Sequence, residues 1–180
     1  MEDWKTIKTE KLLDTQWIKV YKDAVELPNG MHVEDFYKVG LNDASAIVGM
    51  DNQKNIILVK QYRYCCGCCS IEIPAGTFEM NDDDGLEVVK RELLEETGYV
   101  SDCWQYLGSV FESSAKLTNQ MHLYFASNCR KIGKQNLDEV EEIQVIVVPF
   151  EKAIEMVMDN EIRCSSSANG ILRVARLLGK

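Results

Sequence analysis

Three glutamates, Glu92, Glu95 and Glu96, stand at a spacing that gathers carboxylates on one side of a helix. At about 100° per residue, Glu95 and Glu96 each fall within about 60° of Glu92. Leu86, Val89 and Leu93 fall on a neighbouring arc, so the helix can bury one stripe and present the acids from another. Three like charges this close repel one another, by roughly 1 kcal/mol per pair in water and by several where water is partly excluded. A divalent cation relieves that repulsion, and an all-oxygen ligand set favours Mg²⁺ or Mn²⁺ over zinc. Acidic helix faces are also common solvated surfaces, so the flanking residues decide between the two.

Those flanks are specific. Asp82-Asp83-Asp84 offers capping side chains, and negative charge there suits the positive end of a helix dipole. The helix is predicted from Gly85 or Leu86 to Thr97, with Gly98 as its stop. Ile73-Pro74-Ala75-Gly76 opens a loop ahead of it, where a glycine lets backbone approach a metal or phosphate closely. Arg91 directly precedes the first glutamate.

The remaining elements must hold that helix. Trp17 to Leu27 and Met31 to Val39 read as a hairpin around Pro28-Asn29-Gly30. Ser45 to Met50 and Ile56 to Tyr64 form a second pair around a polar turn, and Ile56-Ile57-Leu58-Val59 suits a strand buried on both faces. Further strands are predicted at Ser70–Ile73, Trp104–Glu112, Gln120–Ala126 and Ile143–Val148, and helices at Phe150–Met158 and Ala168–Leu178. The order strands, helix, strands, helices gives an α+β chain of the α/β/α sandwich type, a mixed sheet between helices. An N-terminal antiparallel hairpin element over residues 1–42 precedes a main domain over 43–180.

Bulk properties narrow the function. The 180 residues carry 29 acidic against 20 basic side chains, a net charge of -9, which disfavours a nucleic-acid backbone as partner. No apolar run is long enough to span a bilayer, and Met1-Glu2-Asp3-Trp4-Lys5 does not open like a secretory signal, so a cytoplasmic protein is expected. Seven cysteines in that setting read as reduced thiols. Four of them cluster in Cys65-Cys66-Gly67-Cys68-Cys69, where adjacent cysteines point apart and suit a strand end and tight turn better than a tetrahedral metal site.

Gly76-Thr77-Phe78-Glu79, the acidic loop, and Arg91-Glu92-Leu93-Leu94-Glu95-Glu96-Thr97-Gly98-Tyr99 together resemble the Nudix box. The second half matches at every defined position. The first half departs, with Gly76 one residue too far from Arg91 and Asp82 or Asp83 where the family has Glu, as a one-residue loop insertion would give. Three further stretches resemble the ADP-ribose and nucleotide-sugar pyrophosphatases of that family: Val59-Lys60-Gln61-Tyr62-Arg63-Tyr64, Ile71-Glu72-Ile73-Pro74-Ala75-Gly76 and Asp138-Glu139-Val140-Glu141-Glu142-Ile143.

The resemblance implies a Nudix fold and metal-dependent hydrolysis of a nucleoside diphosphate sugar, with ADP-ribose first and a GDP-hexose such as GDP-mannose second. It implies Glu92, Glu96 and the Ala75 carbonyl as metal ligands, with Glu95 a ligand or a water-mediated partner. Arg63 and Thr77 would meet substrate, and Arg91 would orient a glutamate. The general base would come from the later acidic loop, Glu139 before Glu141, or from the box itself. The family's Pro-Gly turn after the box is missing from Glu112 to Asn119, a segment that would lie near the distal sugar. A homodimer through the N-terminal hairpins is expected by resemblance. A non-catalytic module that only binds a nucleotide sugar is the alternative from another class, and the intact glutamate trio speaks against it.

Overall fold

The structure, a computed structural model, describes residues 2–79 and 84–180. Asp82 and Asp83 therefore lie outside the described residues. The chain divides into two units, residues 1–43 with 111–120, and residues 44–110 with 121–180.

The first unit is a three-stranded antiparallel meander of Lys5–Asp14 (β1), Lys19–Glu26 (β2) and His32–Gly40 (β3). The predicted hairpin is its β2–β3 pair. Gly30 takes a left-handed φ of 82° at the turn, and Met31 N–H donates to Asn29 Oδ1 at 3.0 Å. β1 was not predicted. All ten of its residues are exposed, so it has no buried face to print an alternation on the sequence. It exists through its ladder to β2, with Lys5 opposite Glu26 and Asp14 opposite Lys19. Residues 111–120 join this unit through backbone bonds, Val39 N–H to Lys116 O and Thr118 N–H to Val39 O.

The second unit holds the mixed sheet: Ala44–Asp51 (β4), Asn55–Arg63 (β5), Cys68–Glu72 (β6), Ala75–Thr77 (β7), Tyr99–Val100 (β8), Cys103–Val110 (β9), Met121–Lys131 (β10) and Ile143–Pro149 (β11). Its central order is β11-β5-β4-β10-β8, with β6 on β5, β7 on β4 and β9 on β10. β4 and β10 run parallel, and the other pairs are antiparallel. The helices are Gly85–Thr97 (α1), Phe150–Met158 (α2) and Ser165–Leu177 (α3).

Strand alternation sorts the apolar side chains into two cores. Ala46, Val48 and Met50 of β4, Ile56 and Leu58 of β5, and Leu123 and Phe125 of β10 pack with Phe150 and Ala153 of α2 and Ile171 and Val174 of α3. Ile47, Ile57 and Ala126 point the other way and pack with Val89 and Leu93 of α1. The sheet is thus sandwiched between α1 and the α2–α3 pair, as the α/β/α expectation required. Ile56 to Val59 are fully buried, as predicted for a strand covered on both faces.

α3 begins at Ser165, three residues before the predicted start. Ser166 and Ser167 look like loop residues, yet both are buried, and Ser167 Oγ accepts the Ile73 N–H at 3.1 Å. Gly170 lets the helix approach the sheet, since a Cβ there would lie 3.1 Å from both Ile73 and Val48. The cysteine cluster forms a 3-10 turn, Tyr64–Cys66, and the start of β6, with Gly67 left-handed between them. All seven cysteines are free thiols.

Candidate active site

α1 begins and ends where its caps place it. Asp84 Oδ1 accepts the Leu86 N–H at 2.8 Å, and Gly98, with φ 75°, donates back to Leu94 O at 2.8 Å. A side chain at Gly98 would press within 2.4 Å of Gly133 O, so the stop is fixed by packing as well as by conformation. Val89 and Leu93 anchor the apolar stripe, and this rotation sets where the acids go.

Glu96 is turned inward and only 4% exposed. Its Oε2 accepts the Ala75 N–H at 3.1 Å, which ties β7 to the helix. Burial pushes its proton affinity up to about 8, with Glu92 and Glu141 adding to the rise and the Ala75 N–H and Arg63 opposing it. Glu92 is likewise pushed up to about 7, by burial first and then by Glu95 and Glu141, against the pull of Arg91. The Glu92 carboxylate lies where a side chain on Gly76 would be, for a Cβ there would lie 2.0 Å from Glu92 Oε1. Gly76 was expected to free the backbone for a close approach. Here the absent side chain makes room for Glu92 itself.

Arg91 stands beside this pair, with Nη2 3.5 Å from Glu92 Oε1 and 3.9 Å from Glu79 Oε1, and Nε 3.9 Å from Glu95 Oε2. Glu95 is thus the most solvent-facing of the three glutamates, with its carboxylate towards Arg91. Among the described residues, no three His, Cys, Asp or Glu side chains already converge at metal-ligand spacing. The acids brought together are Glu92 and Glu96, with Ala75 at their side.

The later acidic loop is pinned to the same helix by residues that sequence reading passed over. Gln135 Nε2 donates to Glu96 O at 2.7 Å and to Ile143 O at 2.9 Å, and Asn136 N–H donates to Glu95 O at 2.9 Å. The loop closes on itself through Asp138 N–H to Glu141 Oε2 at 3.2 Å. It is the charge of Glu141 that reaches both Glu92 and Glu96. Glu139 is exposed two residues earlier in that loop.

Arg63 ends β5 and makes a two-point pair with Glu72 of β6, Nε to Oε1 at 3.1 Å and Nη2 to Oε2 at 2.7 Å. Glu72 is buried, which alone would favour its neutral form, but the Arg63 fork, with help from Ser70, outweighs burial and holds it below the usual carboxylate range. Glu72 raises the proton affinity of Arg63 in turn, and the nearby Glu96 adds to that. Glu72 was not singled out in the sequence. An acid flanked by Ile71 and Ile73 is the signal that a cationic partner must exist. Arg63 and Glu72 line a cavity of about 760 Å³ with Tyr62, Tyr64, Arg163 and Cys164. Thr77 is exposed on β7, opposite Ala44.

A glycine-backed carboxylate pair on a helix that covers one face of the sheet, with an arginine at an adjoining strand end, suits a divalent cation and an anionic substrate. Residues 40–164 match the NUDIX domain, and residues 4–39 match the nucleoside diphosphate sugar hydrolase N-terminal domain. The chain belongs to the Nudix family and is a hydrolase acting on diphosphate bonds. Divalent metal ions are the general cofactors of that family. The chain is 34% identical to the methanol dehydrogenase activator of Bacillus methanolicus, over 88% of this chain and 85% of that protein. It is 30% identical to the ADP-ribose pyrophosphatase of Bacillus subtilis, over 93% and 90%, and 31% identical to the GDP-mannose pyrophosphatase of Yersinia enterocolitica, over 85% of each. Its fold is similar to the crystal structure of an ADP compounds hydrolase, with a TM-score of 0.84 at 16% identity, over 99% of this chain and 96% of that one. None of the described helices is long and apolar enough to cross a membrane.

Proposed function

We propose that the chain hydrolyses ADP-ribose to AMP and ribose 5-phosphate with Mg²⁺ or Mn²⁺. The observation that carries this is the buried pair Glu92 and Glu96. Two carboxylates share one site, and burial first, then repulsion between carboxylates, makes them hold their protons to about pH 7 and about pH 8. Such a pair is unfavourable alone and favourable around a divalent cation. The donor set is all oxygen and fits a hard ion: Glu92, Glu96 and the Ala75 carbonyl would hold it, with Glu95 at its edge. When bound, the ion would neutralise phosphate oxygens and favour ionisation of the attacking water.

The residues do the rest. Arg63, whose charge feels Glu96, is read as the diphosphate contact, where its planar fork would exchange part of its pairing with Glu72 for phosphate oxygens. Arg91 restrains Glu92 and Glu95. Of the two loop acids, Glu141 is taken as the proton acceptor, because its charge acts on both buried glutamates. Attack by water on one phosphorus breaks the bond to the bridging oxygen, and each product leaves with a terminal phosphate. Thr77 would contact substrate from the exposed face of β7. The N-terminal meander is read as the contact surface of a homodimer.

The B. subtilis relative aligns over more of this chain than the Y. enterocolitica relative does, which favours ADP-ribose over GDP-mannose. A product assay over a panel of nucleotide sugars, with and without Mg²⁺, tests this. AMP and ribose 5-phosphate from ADP-ribose are expected. Cleavage of GDP-mannose with ADP-ribose untouched would replace the substrate, and turnover of no diphosphate compound would remove the proposal.

A further inference from the structure

Four of the seven cysteines, Cys65, Cys66, Cys68 and Cys164, line the single cavity that also holds Arg63 and Arg163. They reach it from three places, the turn before β6, the first residue of β6 and the N-cap position of α3. One of them meets a guanidinium directly, and a second lies near another. Arg163 Nη2 donates to Cys68 Sγ at 3.2 Å, and Cys164 is close enough for its sulfur to act on the charge of Arg63. Strand alternation sends Cys69 to the opposite face of β6, where it lines a different pocket with Lys60 and Gln144. Cys129 is buried, and burial pushes its thiol up to about 12, which leaves it unreactive.

We propose that Cys68 is a thiol–disulfide exchange site for anionic low-molecular-weight disulfides, and that the adduct fills the cavity beside Arg63. The thiolate is the form that attacks a disulfide, and Arg163 Nη2 sits within hydrogen-bond distance of the Cys68 sulfur, beside the path of an anionic reagent. The two arginines also attract the carboxylates of the incoming molecule, and a cavity of about 760 Å³ falls in the range that holds small ligands. In the exchange, Cys68 gives its proton to water and its sulfur attacks one sulfur of the disulfide. The old S–S bond breaks, and the departing thiolate takes a proton from water. Cys68 is oxidised to a mixed disulfide, and the reagent is the oxidant, reduced to one equivalent of thiol. An adduct there blocks hydrolysis by occupying the space beside Arg63, a consequence that rests on the proposed role of Arg63; the site itself does not.

The test treats the reduced full-length chain with oxidised glutathione or with cystamine, and maps adducts by peptide mass. With glutathione disulfide, Cys68 is expected to react about fivefold or more faster than Cys69 or Cys103. Arg163→Gln is expected to bring Cys68 down to the rate of Cys69. Cationic cystamine should lose at Cys68 while it wins elsewhere, since a chain of net charge -9 attracts cations over most of its surface. Adducts spread evenly over the exposed cysteines, a Cys68 rate indifferent to Arg163→Gln, or cystamine leading at Cys68 would each overturn the proposal. Hydrolysis should fall in step with Cys68 occupancy and return with dithiothreitol, whereas Cys68→Ser should hydrolyse normally and ignore the disulfide. Full occupancy with undiminished hydrolysis would overturn the block. A reduced chain that hydrolyses nothing would fault the assigned function instead, and the adduct map would still judge Cys68.

Discussion

Gly76 and Glu92 share one space, so the residue scale is where the site is most easily broken. In Gly76→Ala the new methyl would lie 2.0 Å from Glu92 Oε1, but that oxygen ends a flexible side chain. The carboxylate is expected to swing away at little cost to the fold, about 1 kcal/mol, because only a side chain and no backbone must move. Activity should fall at least about tenfold, as a misplaced ligand does, and kinetics beside a melting curve separate the two effects. Glu96→Gln removes a buried charge and is expected to cost at least about 100-fold in turnover. Its metal-free form should melt no lower than the parent at pH 8, because the variant has no carboxylate to ionise in the dry site. A loss of only a fewfold would show that the cation is held elsewhere. The spacing of Glu92, Glu95 and Glu96 was legible because one helix fixes it. The Arg63–Glu72 fork was half legible, as an arginine and an acid on neighbouring strands whose register the sequence does not state. The sequence ranks Glu139 before Glu141, and the proposed reversal depends on how Gln135 and Asn136 dock the loop onto α1, which no local pattern states.

At the scale of elements, buried polar contacts do what the apolar cores cannot, which is to fix register. Ser167 Oγ accepts the Ile73 N–H just before Pro74, and so locks α3 to the strand that leads into the site. Ser167→Ala strands that buried N–H and is expected to destabilise the protein by about 1–3 kcal/mol, measurable by urea titration. The same buried serines explain why α3 was read three residues short. Their hydrogen-bonding habit suggests a loop, yet inside the helix Ser167 finds the Ile73 N–H opposite and Ser166 finds the Cys164 sulfur at 3.1 Å. β1 was missed for the converse reason, since its ladder to β2 stabilises it with no core-facing side chains. β4, β5 and β11 were legible as short apolar runs, and α1 as an apolar stripe of helical period between caps. Gln135 belongs to this scale as well. Gln135→Ala removes two bonds that hold the acidic loop, and should lower turnover about tenfold or more while Glu92 and Glu96 stay in place. Unchanged turnover would free the loop from any part in proton transfer.

For the molecule as a whole, the buried acids couple stability to pH and to metal. Glu92 and Glu96 hold their protons to about 7 and about 8 in the folded chain, against an ordinary value of 4.5. Below that ordinary value both states are protonated, and the pair has no effect on folding. As pH rises above it the unfolded chain ionises first, while the folded chain retains its protons. The unfolded state then binds fewer protons, so stability falls with pH until the folded pair has also ionised near pH 8. Each tenfold difference in proton affinity is worth about 1.4 kcal/mol, or about 3–6 °C of melting midpoint for a domain of this size. The metal-free protein is therefore expected to melt several degrees lower at pH 8 than at pH 5.5. Glu72 opposes this only at lower pH, since its proton affinity lies below the ordinary value and its pairing with Arg63 is lost in acid. Millimolar Mg²⁺ should restore the midpoint at pH 8 and do little at pH 5.5, where protons compete for the same oxygens. Calorimetry at both pH values, with EDTA and with Mg²⁺, reads all four arms. A midpoint that is flat with pH in EDTA, or a Mg²⁺ effect equal at both pH values, would mean that the buried pair is not where the cation binds.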